Sequence, residues 1–146
     1  VNTGNANKTK PSSVTRVVGA AIISNGKILC AQRGESKSLA GYWEFPGGKV
    51  EKHETLREAL HREIEEELLC EIDVDDTLCT TMQSYDFGTI ELTTFMCSLL
   101  KGLPTLTEHQ QIRWLAPGEL ASLRWAPADC EAVAKLSNAS PRNILL

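Results

Sequence analysis

From Arg16 onward the chain reads as short apolar runs cut by turn residues. Val17–Ile23 is followed by Ser24-Asn25-Gly26-Lys27 and then by Ile28–Arg33. Two apolar runs joined through Asn-Gly predict a β-hairpin, because that dipeptide accepts the positive φ angles of a tight two-residue turn. Gly34, Gly41, Pro46, Gly47 and Gly48 punctuate the next stretch, a structured loop that ends in Trp43-Glu44-Phe45-Pro46-Gly47-Gly48. One long helical pattern follows, from Thr55 to about Leu69. Thr55 with Glu58 three residues later is a capping box, in which two side chains satisfy orphan N–H groups at the helix start. The runs 70–74, 78–87 and 89–100 predict strands, with a short hairpin at Gly88. Gln111–Leu115 predicts a further strand and Pro117–Leu123 a helical turn. Pro127 opens a last helix over Ala128–Leu136, since proline suits the first helical position. Strands around one dominant helix, closed by a second, make an α/β chain.

The dominant helix carries its acids on an unexpected side. Residues three, four or seven apart share a face, so Glu63 lies under Leu56 and Ala59, and Glu67 under Leu60 and Glu63. Glu66 borders the same stripe, whereas Glu54, Glu58 and Glu65 point elsewhere. Like charges gathered at the edge of a core are costly unless something neutralises them. A hard divalent cation such as Mg²⁺ or Mn²⁺ does so through clustered oxygen ligands. Arg62, one turn from Glu58 and Glu66, is set to orient an acid by charge-assisted hydrogen bonding.

Composition narrows the partners. At 146 residues the chain is one domain's worth, and 42% hydrophobic residues suffice for a core and exclude disorder. No apolar run approaches the ~20 residues of a membrane-spanning helix, and the polar N-terminus does not read as a secretion signal. A cytoplasmic protein without a membrane partner is expected, its oligomeric state open. The reading divides it into a flexible tail over 1–14, one domain over 15–138 and a C-terminal tail over 139–146. A net charge of −4 argues against a nucleic-acid polymer as ligand. The five cysteines, with no C-x-x-C pair, are read as structural.

Residues 48–70, GKVEKHETLREALHREIEEELLC, resemble the Nudix box of the MutT-type nucleotide pyrophosphohydrolases: a glycine, five residues, a glutamate, seven residues, then Arg-Glu-apolar-x-Glu-Glu-x-Gly-apolar. Gly48, Glu54, Arg62, Glu63, Ile64, Glu66, Glu67 and Cys70 fall at the matching places, and Leu69 stands where the final glycine belongs. The rival P-loop reading of Gly47-Gly48-Lys49 fails, because Trp43 and Val50 occupy its required glycine and Ser/Thr positions. The resemblance implies a Nudix fold, an α/β/α sandwich with a mixed sheet and a loop-helix-loop metal site. It implies Mg²⁺-dependent (or Mn²⁺-dependent) cleavage of a nucleoside triphosphate, such as 8-oxo-dGTP, to monophosphate and pyrophosphate. The alternatives are CTP or dCTP, and ADP-ribose or another nucleoside diphosphate derivative. The intact glutamates argue against a non-catalytic binding module.

By the same resemblance Glu63, Glu66 and Glu67 hold the metal with the Gly47 carbonyl, and Glu108 adds a further acid. Glu63 or Glu66 activates the water, Arg62 orients the glutamates, and Arg33 and Lys49 meet phosphates. Asp129 reads the base, with Tyr85 and Phe87 stacking on it. An ionised Asp129 accepts from both donors of guanine's pairing edge, whereas cytosine suits only a protonated one. His53, His61 and His109 lack ligand spacing and are read as bystanders. Leu69, continuous with apolar Leu68 and Cys70, is expected to fill a core gap.

Overall fold

The computed structural model describes residues 14–138; the expected tails over 1–13 and 139–146 lie outside them. Strand β1 (Val14–Ser24) begins at Val14, one residue inside the expected N-terminal tail, and turns through Asn25-Gly26 into β2 (Lys27–Gln32). Asn25 at φ 53° and Gly26 at φ 76° give the two positive angles that the Asn-Gly signal requires. The two strands pair only at the hairpin end, Ile23 with Ile28 and Ser24 with Lys27. They then diverge, and the glycine-rich loop fills the split. Within it β3 (Trp43–Glu44) pairs with β2, and β4 (Gly47–Lys49) pairs with β1.

Helix α1 (Leu56–Leu68) follows, then the long strands β5 (Glu71–Tyr85) and β6 (Gly88–Lys101), and β7 (Gln111–Leu115). The two runs read as separate strands, 70–74 and 78–87, are one strand with bulges around Val74, Thr77 and Cys79. Strand β6 lies parallel to β1 and β5 antiparallel to β6, while β7 pairs antiparallel with β2, so the sheet is mixed. A 3₁₀ turn spans Pro117–Ser122, as expected there. The last helix differs: Pro127–Asp129 is 3₁₀, and α2 (Cys130–Ser137) starts two residues later than predicted.

Side chains alternate across a strand, and buried β1 sends Ala20 and Ile22 to one face and Ala21 and Ile23 to the other. The first face packs on Ala59, Leu60, Ile64 and Leu68 of α1. The second packs on Trp125 and on Ala132, Val133 and Leu136 of α2. One helix on each face makes an α/β/α sandwich. No helix among the described residues is long and apolar enough to cross a membrane.

Both ends of α1 are informative. At the start the capping box forms as predicted: Thr55 Oγ1 accepts from Glu58 N at 3.1 Å, and the Glu58 carboxylate accepts from Thr55 N at 2.9 Å. At the end Leu69 is left-handed, φ 55° and ψ 39°, and 58% exposed. The expectation that it fills a core gap is therefore wrong. The chain must reverse there to begin β5, and that geometry prevails over the apolar side chain at a cost of roughly 1 kcal/mol. The carbonyls freed at the helix end are taken up by the 102–110 segment, with Thr105 N donating to Leu68 O at 2.8 Å and Thr107 Oγ1 to Glu67 O at 2.6 Å.

Candidate active site

A cleft of about 820 Å³ opens beside the glycine-rich loop that fills the split between β1 and β2. Its floor is the Gly47-Gly48 strand, one wall is α1, and the far end is the turn before α2. Arg33, Gly47, Lys49, Glu63, Glu66, Glu67, Tyr85, Phe87, Glu108 and Asp129 all line it. Arg62, the remaining residue singled out in the sequence, stands behind the acids.

Gly47 and Gly48 have no room for a side chain. A Cβ on Gly47 would strike Val18 O, and one on Gly48 would strike the Glu63 carboxylate. The absent side chains let β4 lie close against β1 at Gly47 and let Glu63 of α1 lie directly on the β4 backbone at Gly48. Arg62 holds the arrangement from behind. Its Nε and Nη2 grip Glu54 at 2.6 and 2.9 Å, Nη1 donates to Glu63 at 3.0 Å and Glu66 at 3.4 Å, and Nη2 also donates to Lys49 O at 3.0 Å. Glu54 thus does not point away as the helix geometry suggested, because the turn before α1 folds it back onto Arg62. Glu58 belongs to the capping box and not to Arg62. The Arg62 hydrogen bond and then the Glu51 backbone hold the Glu54 carboxyl down to about 2.

The acids nearest the cleft behave oppositely. Burial, then the charges of Glu63, Glu108 and Glu44, push Glu67 up to about 9. Burial likewise raises Glu63, with Arg62 opposing. Glu66 is exposed, and Glu108 on the segment before β7 is half-exposed and paired with Lys37 at 3.2 Å.

At the other end Asp129 is 5% exposed. Its side chain caps no helix; its Oδ1 accepts from Phe45 N at 3.3 Å. Burial first, and Glu44 second, push the Asp129 carboxyl well above the usual range. Of the two protonation states weighed from the sequence, these surroundings favour the neutral carboxyl. Tyr85 and Phe87 stack on each other, ring centroids 5.0 Å apart, with the Tyr85 hydroxyl accepting from Ala128 N at 3.1 Å and Phe87 62% exposed.

Residues 14–136 match the family model of the NUDIX domain. The chain belongs to the Nudix family. A Mycobacterium tuberculosis (strain H37Rv) protein named "Putative 8-oxo-dGTP diphosphatase 2" is 39% identical over 124 residues, 83% of this chain and 86% of that one. The Escherichia coli (strain K12) "CTP pyrophosphohydrolase" is 40% identical over 113 residues, 77% of this chain and 84% of that one. The solution structure of a DNA mismatch repair protein MutT (family Nudix hydrolase) from methicillin-resistant Staphylococcus aureus 252 superposes with TM-score 0.72 at 58% identity. It covers 85% of this chain and 95% of its own. The protein is a MutT-like Nudix hydrolase, a pyrophosphohydrolase.

Nudix enzymes are typically dependent on a divalent metal, and the donor set here fits one. The Glu67 Oε1 atom is buried without a hydrogen-bond partner, an orphaned acceptor beside other carboxylates. Hard oxygen donors of this kind suit Mg²⁺ or Mn²⁺. Among the described residues no three acidic, His or Cys side chains already form a ligand set; Glu66 is engaged by Arg62 and Glu108 by Lys37.

Two cleft residues escaped the sequence reading. Glu44 alternates with the buried Trp43 and Phe45, and that period of two was a usable signal that it faces the cleft. His109, read as a bystander, donates to Glu44; no local pattern announces a partner 65 positions away.

Proposed function

We propose that the protein hydrolyses a nucleoside triphosphate to the monophosphate and pyrophosphate, with 8-oxo-dGTP as its leading substrate. The carrying observation is Asp129, a buried carboxyl at the cleft end whose surroundings favour the neutral acid. Such a group presents one donor beside one acceptor. On the N7/O6 face guanine has two acceptors; oxidation converts N7 to N–H, and that face of 8-oxoguanine becomes complementary to the acid. Cytosine, through N3 and its N4–H donor, is complementary too. Together with the 40% identity to an E. coli CTP pyrophosphohydrolase, this supports cytidine triphosphates as the second reading.

The remaining residues divide the work. Arg33 and Lys49 meet phosphate oxygens, and Phe87 at the rim, backed by Tyr85, offers an aromatic face to the base. Glu63, Glu66 and Glu67, with the Gly47 carbonyl and Glu108, would hold Mg²⁺ or Mn²⁺. A bound divalent cation supplies charge neutralisation at the phosphate oxygens and lowers the pKa of water. Glu66 is exposed and bonded by Arg62 only at 3.4 Å, which leaves it freest to take the proton of the attacking water. Arg62 fixes Glu54 and Glu63 without touching substrate.

The test is kcat/KM for 8-oxo-dGTP, dGTP, CTP and dCTP at saturating Mg²⁺, with product analysis. 8-oxo-dGTP is expected to exceed dGTP by about tenfold or more, the scale of one matched base edge. Release of orthophosphate in place of pyrophosphate, or dGTP as the best substrate, would overturn the proposal, and a preference for CTP or dCTP would defeat 8-oxo-dGTP as the leading substrate in favour of the second reading.

A further inference from the structure

His109 is the buried polar group in the cleft that the chemistry above leaves unused. Its side chain is 4% exposed, and Nε2 lies 2.9 Å from Glu44 Oε2. The other Glu44 oxygen accepts from Arg33 Nη1 at 2.7 Å. Burial pushes Glu44 up, but His109 and Arg33 outweigh it and hold the carboxyl below the usual range. An ionised carboxylate only accepts, so Nε2 carries the hydrogen. Nδ1 is buried without a partner, which is costly for a side chain retained for stability alone.

The position of the pair explains its use. Glu44 precedes Phe45, whose N–H donates to Asp129, and the guanidinium on the other side of Glu44 is that of Arg33, also held by Ser38 O at 2.6 Å. The next residue, Gln110, donates from its backbone to Gln32 O at 2.9 Å and from its side chain to Arg33 O at 3.0 Å. One imidazole therefore pins, from behind, the wall that joins the phosphate-facing arginine to the base-facing acid.

We infer that His109 is a positioning residue for substrate, holding Glu44 so that Arg33 and the Phe45 wall keep the geometry that the nucleotide meets. The inference rests on the nucleotide reading of the cleft. Its effect is expected on binding more than on the chemical step, because the His109 side chain is hydrogen-bonded to Glu44 and to none of Glu63, Glu66, Glu67 or Glu108.

The experiment compares wild type, His109→Ala, His109→Gln, Glu44→Gln and the His109→Ala/Glu44→Gln double variant. It measures kcat and KM on 8-oxo-dGTP and CTP, Kd for a non-hydrolysable α,β-imido CTP by calorimetry, and Tm. His109→Ala is expected to raise KM and Kd about tenfold, the weight of a hydrogen bond to a charged group, with kcat changed less than about threefold. His109→Gln, whose amide N–H still donates, recovers most of the loss. Adding His109→Ala to Glu44→Gln has little further effect. A fall in Tm or kcat with KM and Kd unchanged, additivity with Glu44→Gln, or a Gln variant as impaired as Ala would overturn the inference. A wild-type protein inactive on both nucleotides would instead overturn the substrate reading, and this inference with it.

Discussion

The two ends of the cleft each hold a carboxyl displaced upward, the part-buried Glu67 in the last turn of α1 and the buried Asp129 before α2, yet the displacements have different origins. Around Glu67 burial is joined by three other acids, Glu63, Glu108 and Glu44. Around Asp129 burial acts with one acid, Glu44, against a hydrogen bond from Phe45 N and the charge of Arg33. The first site gathers negative charge that a cation can neutralise, and its proton is provisional. The second has no such gathering, and under the proposed nucleotide reading its proton would be a hydrogen-bond donor to the base. A raised carboxyl pKa alone distinguishes neither role; the company of the group does.

The largest effect expected from this contrast is on turnover. Glu67→Gln and Glu63→Gln should each lower kcat by at least about a hundredfold while the chain stays folded, because each removes a charge from the proposed cation site. Without metal their Tm should equal or exceed that of the wild type, since repulsion is relieved. Steady-state kinetics and thermal melts check both statements.

At the other end, Asp129→Ala should erode the preference for 8-oxo-dGTP over dGTP by about tenfold, with a smaller loss in kcat. Asp129→Asn, which keeps one donor beside one acceptor, should preserve it. Linkage adds a signature in stability. Both acids have folded values above their unfolded ones. Each therefore contributes stability that is complete below the ordinary carboxylate range and is lost as pH rises through the folded value, which for metal-free Glu67 is about 9. Tm should decline between about pH 4.5 and 9 in the metal-free protein, and Glu67→Gln and Asp129→Asn should each flatten the decline. Added Mg²⁺ should remove the Glu67 part and leave the Asp129 part, as melts across pH will show.

These differences also mark what was legible in the sequence. The Asn25-Gly26 hairpin, the Thr55–Glu58 box and the inward azimuth of Glu63 and Glu67 depend on residues a few positions apart, and they read correctly. The protonation state of Asp129 stayed open in the sequence, because it depends on burial and on Glu44, which the fold brings together. The clamp of His109 on Glu44 is long-range for the same reason. Leu69 misled differently: its apolar identity suggested the core, while the reversal at the end of α1 demanded a left-handed residue.

The smallest effect follows from that last point. Leu69→Gly should stabilise the protein by about 1 kcal/mol, raising Tm by a few degrees. A lower midpoint in a thermal melt would restore the packing role first expected of Leu69.

The contrast between the two carboxyls is tested most directly by calorimetric titration of Mn²⁺ into the metal-free protein near pH 7, in buffers of differing ionisation enthalpy. With Glu67 protonated until the cation arrives, binding should release about one proton per site. Asp129→Asn should leave that release unchanged, and Glu67→Gln should abolish it. Binding without proton release in the wild type, or release that disappears with Asp129 and persists without Glu67, would contradict the account.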